Sequence, residues 1–229
     1  GNAGAVQASL LLYEINQDKT YLEMAESAAD MLEKSAEKQE YGIGWITEEG
    51  MLPMAGAAHG NSGVLMAFLH LWYLTSKDKY EQLAEKVWAY EESLYNPEIN
   101  NWMDVRTGRQ NIDDMGAMAW CHGAPGILYS RMKCYKYVKD QKWKKRLRKD
   151  MCRAYKKMEE YWRRDSWCLC HGICGNLWIL EKASKFLGDK EDIFDSYLAC
   201  DEVKLLPQER ENPGLLNGYG GILLYLIRR

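Results

Sequence analysis

Two kinds of helical pattern alternate along this chain. Residues 5–13, 64–74, 176–180 and 222–227 are apolar around most of a helical circumference, the mark of a helix buried on nearly every side. Breaks at 16–19 and 76–79 follow the first two runs, and behind each break comes a charged segment with a single apolar stripe. The stripe is Tyr21, Leu22, Ala25, Ala28, Ala29 and Leu32 in one copy, and Tyr80, Leu83, Ala84, Val87 and Trp88 in the next. Steps of three and four residues predict an amphipathic helix. The unit is thus a buried inner helix followed by an exposed outer one, which predicts an all-α fold. Extended pieces are expected only in the loops ahead of Gly60 and Gly123.

The unit repeats. A pair of glycines three residues apart opens at Gly1, Gly60, Gly123, Gly172 and Gly218, at intervals of 59, 63, 49 and 46 residues. Glycines at the start of an inner helix permit tight turns and close backbone packing. Pro125 falls in a first turn, where its missing N–H costs nothing. Such helix pairs stack into a superhelix or close into a ring, and spacing alone leaves both open.

Composition narrows the class. With 229 residues, 47% hydrophobic, 28% charged and a net charge of -3, the chain has the balance of an ordinary folded protein rather than a disordered or fibrous one. The longest run without a formal charge or a Gly or Pro break, 64–76, is too short for a membrane span and carries His70. The opening Gly1-Asn2-Ala3-Gly4 has no basic n-region, so no signal peptide is read there. Seven cysteines argue against a complete disulfide framework and for free thiols or metal ligands in a reducing, cytoplasmic setting. Half of the 30 basic residues lie between Arg131 and Arg164. That run reads as the solvated face of an outer helix, with Trp143, Leu147, Met151, Tyr155, Met158 and Trp162 turned inward. No nucleic-acid motif accompanies it.

Candidate chemistry sits in the loops that enter inner helices. Three of the four histidines directly precede a helix-start glycine: His59, His122 and His171. Equivalent repeat positions project to the same end of a helical array, which favours one shared site over three separate caps. His70, inside an inner helix, reads as a satisfied core residue. Cys121 precedes His122 and Cys170 precedes His171; thiolate and imidazole are preferred zinc ligands. Cys168 and Cys174 are rivals, although Cys174 lies inside a helix start. Cys134, Cys152 and Cys200 read as buried free thiols. Asp113-Asp114 lacks the third acid of a terpene-cyclase metal motif, and Glu91-Glu92 and Glu159-Glu160 lie on outer helices, unsuited to a glycosidase pair.

Residues 119–127, Ala-Trp-Cys-His-Gly-Ala-Pro-Gly-Ile, and 170–176, Cys-His-Gly-Ile-Cys-Gly-Asn, resemble the two zinc motifs of the lanthionine synthetase C-like family. Residues 58–63, Ala-His-Gly-Asn-Ser-Gly, are similar to its active-site histidine motif. Residues 101–106 and 212–218 look like the cyclase domain of bifunctional lantibiotic-modifying enzymes. The resemblance implies an α/α toroid, of which residues 1–229 supply about four and a half helix pairs, as the C-terminal portion of a larger cyclase domain. It implies one zinc ion held by Cys121, Cys170 and His171, with His59 and His122 as catalytic residues. An aspartate that the family places ahead of the first glycine motif has no counterpart here, and Ala117 stands where some members carry an arginine.

The activity so implied is addition of peptide cysteine thiolates to dehydroalanine or dehydrobutyrine in a bacterial, cytoplasmic precursor peptide, with a dehydratase domain upstream. An ordinary thiol is only a few per cent ionised at neutral pH, so metal coordination is the expected source of the thiolate. His59 is the expected acid or base. A non-catalytic helical scaffold and a glutathione-adding relative of eukaryotic type are the alternatives.

Overall fold

The computed structural model describes residues 1–47, 49–106, 116–160, 166–188 and 206–228. Asp113, Asp114, Trp162 and Cys200 lie outside them. The described elements are α1 (Asn2–Asn16), α2 (Lys19–Lys34), β1 (Glu37–Gln39), β2 (Gly42–Gly44), α3 (Asn61–Thr75), α4 (Asp78–Ser93), β3 (Tyr95–Asn96), β4 (Asn101–Trp102), α5 (Ala124–Tyr137), α6 (Gln141–Glu160), α7 (Ile173–Leu187), α8 (Pro207–Glu211) and α9 (Tyr219–Ile227). The protein is all-α in architecture, an α/α toroidal arrangement of inner and outer helices. α1, α3, α5, α7 and α9 pack in succession, while α2, α4 and α6 pair with the inner helix before them. The two short hairpins, β1–β2 and β3–β4, are antiparallel. They lie in the loops ahead of Gly60 and Gly123, where extended pieces are expected, together with the single bridges Met54 to Gly60 and Met118 to Gly123.

The predicted breaks are left-handed helix ends. Gln17 (φ 60°) closes α1 and Ser76 (φ 55°) closes α3, each donating its N–H back to the preceding turn. Asp18 then accepts from the Thr20 N–H and starts α2. Ten of the fifteen α3 residues are buried, as its apolar circumference requires, and Phe68, Leu69 and Leu71 anchor the first core with Tyr80 and Val87 of α4. The predicted stripe on α6 packs inward through Trp143, Leu147, Met151, Tyr155 and Met158.

The second glycine of four motifs has one shared reason. A side chain on Gly63, Gly126, Gly175 or Gly221 would collide at 1.8–2.3 Å with the carbonyl oxygen six residues earlier, those of Ala57, Trp120, Leu169 and Leu215. Each entering loop therefore folds flat against the first turn of its inner helix.

The basic run is less solvated than its composition implies. Arg131 is wholly buried on α5, and Arg146, Lys149 and Arg153 of α6 pair with Glu85 and Glu92 of α4. Glu91, on an outer helix as expected, is nonetheless wholly buried: it turns from α4 toward the inner helices. Cys134 is buried as expected, but Cys152 is exposed, because the residue after the inward Met151 turns out of the α6 stripe. His70 is buried and stacked on Tyr137 at 4.1 Å, yet it is not a fully satisfied core residue. Its Nε2 lies 3.3 Å from Glu14 Oε2 without hydrogen-bond alignment, and neither ring nitrogen has a hydrogen-bond partner among the described residues.

Candidate active site

The loops entering α3, α5, α7 and α9 are stitched together at one end of the inner helices. The Ala58 and His59 N–H groups both donate to the Cys121 carbonyl, at 3.1 and 3.0 Å. Trp120 N–H donates to the Cys170 carbonyl at 3.0 Å, and Cys170 N–H to the Leu216 carbonyl at 2.9 Å. Four repeats distant in sequence thereby place their motif residues side by side.

The centre of this end holds thiols. Ala119, Cys121, Cys168 and Cys170 form a small buried cluster against Trp120. Cys121 and Cys170 share a side-chain hydrogen bond, which holds the Cys121 thiol down to about 4 against the opposing effect of burial. His122, its Nδ1 at 3.1 Å from Cys121 Sγ, and His59 push in the same direction. The same shared proton, together with burial, pushes the Cys170 thiol up. One thiol–thiolate pair with a single proton is the physical content of both shifts.

Cys168 is held differently. Ser166 Oγ lies 3.2 Å from its sulfur and His171 N–H 3.5 Å from it. The strand of backbone around it is pinned by Glu209, whose Oε1 accepts from Ser166 Oγ at 2.8 Å, Trp167 N–H at 2.7 Å and Cys168 N–H at 3.1 Å.

His59 is exposed and lines a cavity of about 590 Å³ with Trp45, Gly63, Trp120, Tyr129 and Lys133. His122 faces a smaller recess beside Trp102 and Asp104. Burial opposes ionisation of Asp104, but Arg106, with His122 beyond it, keeps its carboxyl below the ordinary carboxylate range. Arg106 spends its positive charge on Asp104 rather than on the thiols.

The structure therefore gathers Cys121, Cys170, His122 and His59. Among the described residues, His171 included, no three metal-ligating side chains are close enough to hold an ion as they stand. Two adjacent thiols, one readily ionised, nonetheless match the donor chemistry that zinc takes. Two groups escaped the sequence reading. Glu209 was signalled by its place at the third helical position after Pro207, where its Oε2 accepts from Leu206 N–H at 2.8 Å in half of a capping box. Glu91 had no local signal, since its partners come from other helices.

A succession of inner helices with outer partners, and chemistry in the loops at one end, defines the α/α toroid class. Solved structures of that shape include a nisin cyclase (TM-score 0.66, 20% identity, covering 96% of this chain and 60% of that one). They also include a cellobiose 2-epimerase from Bacillus thermoamylovorans B4167 (TM-score 0.57, 14% identity, 85% and 57% covered). These likenesses concern the fold alone. The lanthionine synthetase C-like protein family matches residues 1–229, and the chain belongs to that family. A curated relative from Lactococcus lactis subsp. lactis, the lacticin 481/lactococcin biosynthesis protein LcnDR2, is 32% identical over 197 residues, 77% of this chain. The chain spans 20% of that relative's length.

Proposed function

We propose that this chain carries the cyclase site of a lantibiotic-type synthetase, joining peptide cysteines to dehydroalanine or dehydrobutyrine as thioethers. The observation that carries the proposal is the Cys121–Cys170 pair, brought together from successive repeats beside the cavity that His59 lines. In this reading Cys121, Cys170 and His171 would hold a zinc ion. When bound, the zinc ion supplies the Lewis acidity that keeps a substrate thiol ionised near neutral pH.

The chain's own residues do the rest. Two protein thiolates already offset the charge of a divalent ion, so a third sulfur retains electron density for attack. The substrate sulfur bonds to the β-carbon of the dehydrated residue, the C=C pair moves toward the α-carbon and its carbonyl, and a proton then reaches the α-carbon. His59 is placed to take the thiol proton or to return one, its loop being tied to Cys121 by backbone hydrogen bonds. His122, against the Cys121 sulfur, orients the thiol pair. Trp120 and Tyr129 wall the cavity where the peptide lies.

The dehydrated substrate requires a dehydrating activity, and in this reading a dehydratase domain precedes the cyclase in the same protein. A bacterial cytoplasm suits the six described cysteines, all of them free thiols. Among the described residues no helix is long and apolar enough to cross a membrane.

Metal content tests the ligand set: about one zinc per chain, lost in Cys121→Ala and in Cys170→Ala, is the expected result. Full retention in both variants would remove these cysteines from the site. Cyclisation of a dehydrated, cysteine-containing peptide by the full-length protein should fall by about a hundredfold or more in His59→Ala, and an unchanged rate would take His59 out of the mechanism.

A further inference from the structure

The inner helices share more than their glycines. From α3 onward the residue ten positions after the first glycine is His70 in α3, Lys133 in α5, Lys182 in α7 and Arg228 at the end of α9, whereas α1 carries Leu11 there and stands outside the pattern. The residue six positions after the first glycine of these four motifs is Met66, Tyr129, Trp178 and Leu224. Equivalent positions of stacked repeats lie at one height, so the inner surface is layered. Glycines lie at the thiol end, large apolar and aromatic side chains come next, and basic groups form the third layer. Met66, Tyr129 and Lys133 line the 590 Å³ cavity, while Tyr129, Trp178 and Lys182 line a neighbouring one of about 240 Å³. These faces are therefore open rather than packed.

The α3 position departs from the layer because His70 is buried against Tyr137. Lys133, Lys182 and Arg228 are exposed. Lys133 stands over Tyr129 at 5.7 Å, and Lys182 and Arg228 both stand over Trp178, at 4.8 and 5.5 Å. Among the described residues none of the three forms an ion pair. Glu181, the carboxylate next in the chain to Lys182, accepts from Tyr225 OH at 2.9 Å instead. The crowding is electrostatically real: burial, then Lys133, Arg228 and Lys136, together disfavour the charged form of Lys182. Unopposed like charges held over aromatic faces form a receptor for anionic side chains.

We propose that Lys133, Lys182 and Arg228 form a docking layer for acidic residues of the peptide substrate. Ten helical residues rise about 15 Å, and an extended peptide covers that in roughly four or five residues. The favoured substrate therefore carries Glu or Asp four or five positions from the cysteine at the thiol centre. This spacing rests on the cyclase reading above, whereas the charge preference does not.

The test uses the full-length, zinc-loaded protein and labelled peptides that contain cysteine but no dehydrated residue, so that none reacts. One carries a Glu pair four and five positions from the cysteine, one the same pair twelve positions away, and one a Gln pair at the near position. Binding read by fluorescence anisotropy at low salt should favour the near-Glu peptide over the Gln peptide by about tenfold. Lys133→Gln with Lys182→Gln should bring that ratio close to one. Lys182→Glu should invert the preference for a peptide with Lys at the near position. Equal binding of Glu and Gln peptides, a ratio that survives the double substitution, or binding of neither peptide would overturn the proposal. So would a short oligonucleotide that displaces the near-Glu peptide at lower concentration than unlabelled peptide does. Near and far Glu peptides binding equally, but both above Gln, would keep the docking layer and count against anchoring of the cysteine at the thiol centre.

Discussion

Arg131 is the group whose replacement tests the fold's interior most sharply. It is wholly buried, donating from its Nη2 to Glu91 Oε2 at 2.6 Å and from Nε to Asp150 Oδ2 at 2.9 Å. Burial disfavours its charge, but Glu91 and Asp150 outweigh that and hold it ionised. Other donors reach the same carboxylates: Glu91 Oε1 takes Ser62 Oγ at 2.6 Å and Gly56 N–H at 3.2 Å, and Asp150 Oδ2 takes Trp88 Nε1 at 3.0 Å, while Asp150 Oδ1 has no hydrogen-bond partner among the described residues. Glu91→Leu leaves half of a buried guanidinium bare and strands two donors, at an expected cost of about 3–5 kcal/mol. Arg131→Met strands two carboxylates and should cost as much. The triple variant Glu91→Gln, Arg131→Met, Asp150→Asn removes every charge but keeps an acceptor for Ser62, Gly56 and Trp88. It should lose only about 1–2 kcal/mol, less than either single change, because the desolvation of three charges disappears along with their attraction. Urea unfolding followed by tryptophan fluorescence measures all three. A triple variant destabilised by the sum of its parts would refute the reading of these residues as one coupled network.

Two further outcomes follow from the same coordinates. Gly56 has φ 134°, and a side chain there would meet His122 Cα at 2.3 Å, so Gly56→Ala should cost about 1–3 kcal/mol and loosen the His59 loop from the Cys121 loop; an unaltered melting temperature together with unaltered zinc content would contradict it. At acid pH, Glu92 is the group to watch. Burial opposes its charge, but hydrogen bonds from Lys149 and Arg153 hold its pKa below the ordinary value. A depressed folded-state pKa contributes stability that is present above the unfolded value of about 4.3 and is lost as pH falls through the folded one. Wild type should therefore lose more stability than Glu92→Gln on descending from pH 5 to about pH 3, and parallel acid-unfolding curves would sink the assignment.

Much of the site was legible because repetition made it so. His59, His122 and His171 were singled out by their equivalent place before a glycine, and the structure puts their loops in one ladder of backbone hydrogen bonds. Cys121 and Cys170 were set apart by the same equivalence, and they share one buried cluster. The cationic layer at Lys133, Lys182 and Arg228 was written in the same register but went unread, since attention to the glycines stopped at the first turn. Glu91 was read onto an outer helix, where it lies, but its burial had no local sign, since a one-residue step from Glu92 turns a helical side chain by about 100°.

Local periodicity determined the alternation of inner and outer helices, their ends at Gln17 and Ser76, and the end of the molecule where chemistry gathers. Those properties depend on residues three or four apart and on single backbone conformations, and they are complete within each segment. Only the tertiary structure decided which charges are buried, which thiols share one cluster, and that Arg131, Lys142, Arg146, Lys149 and Arg153 of the basic run pair with α4. These facts depend on distances between side chains dozens of residues apart, set when one helix pair packs against the next. A single strand of sequence carries the preference of each segment but not the facing of one against another.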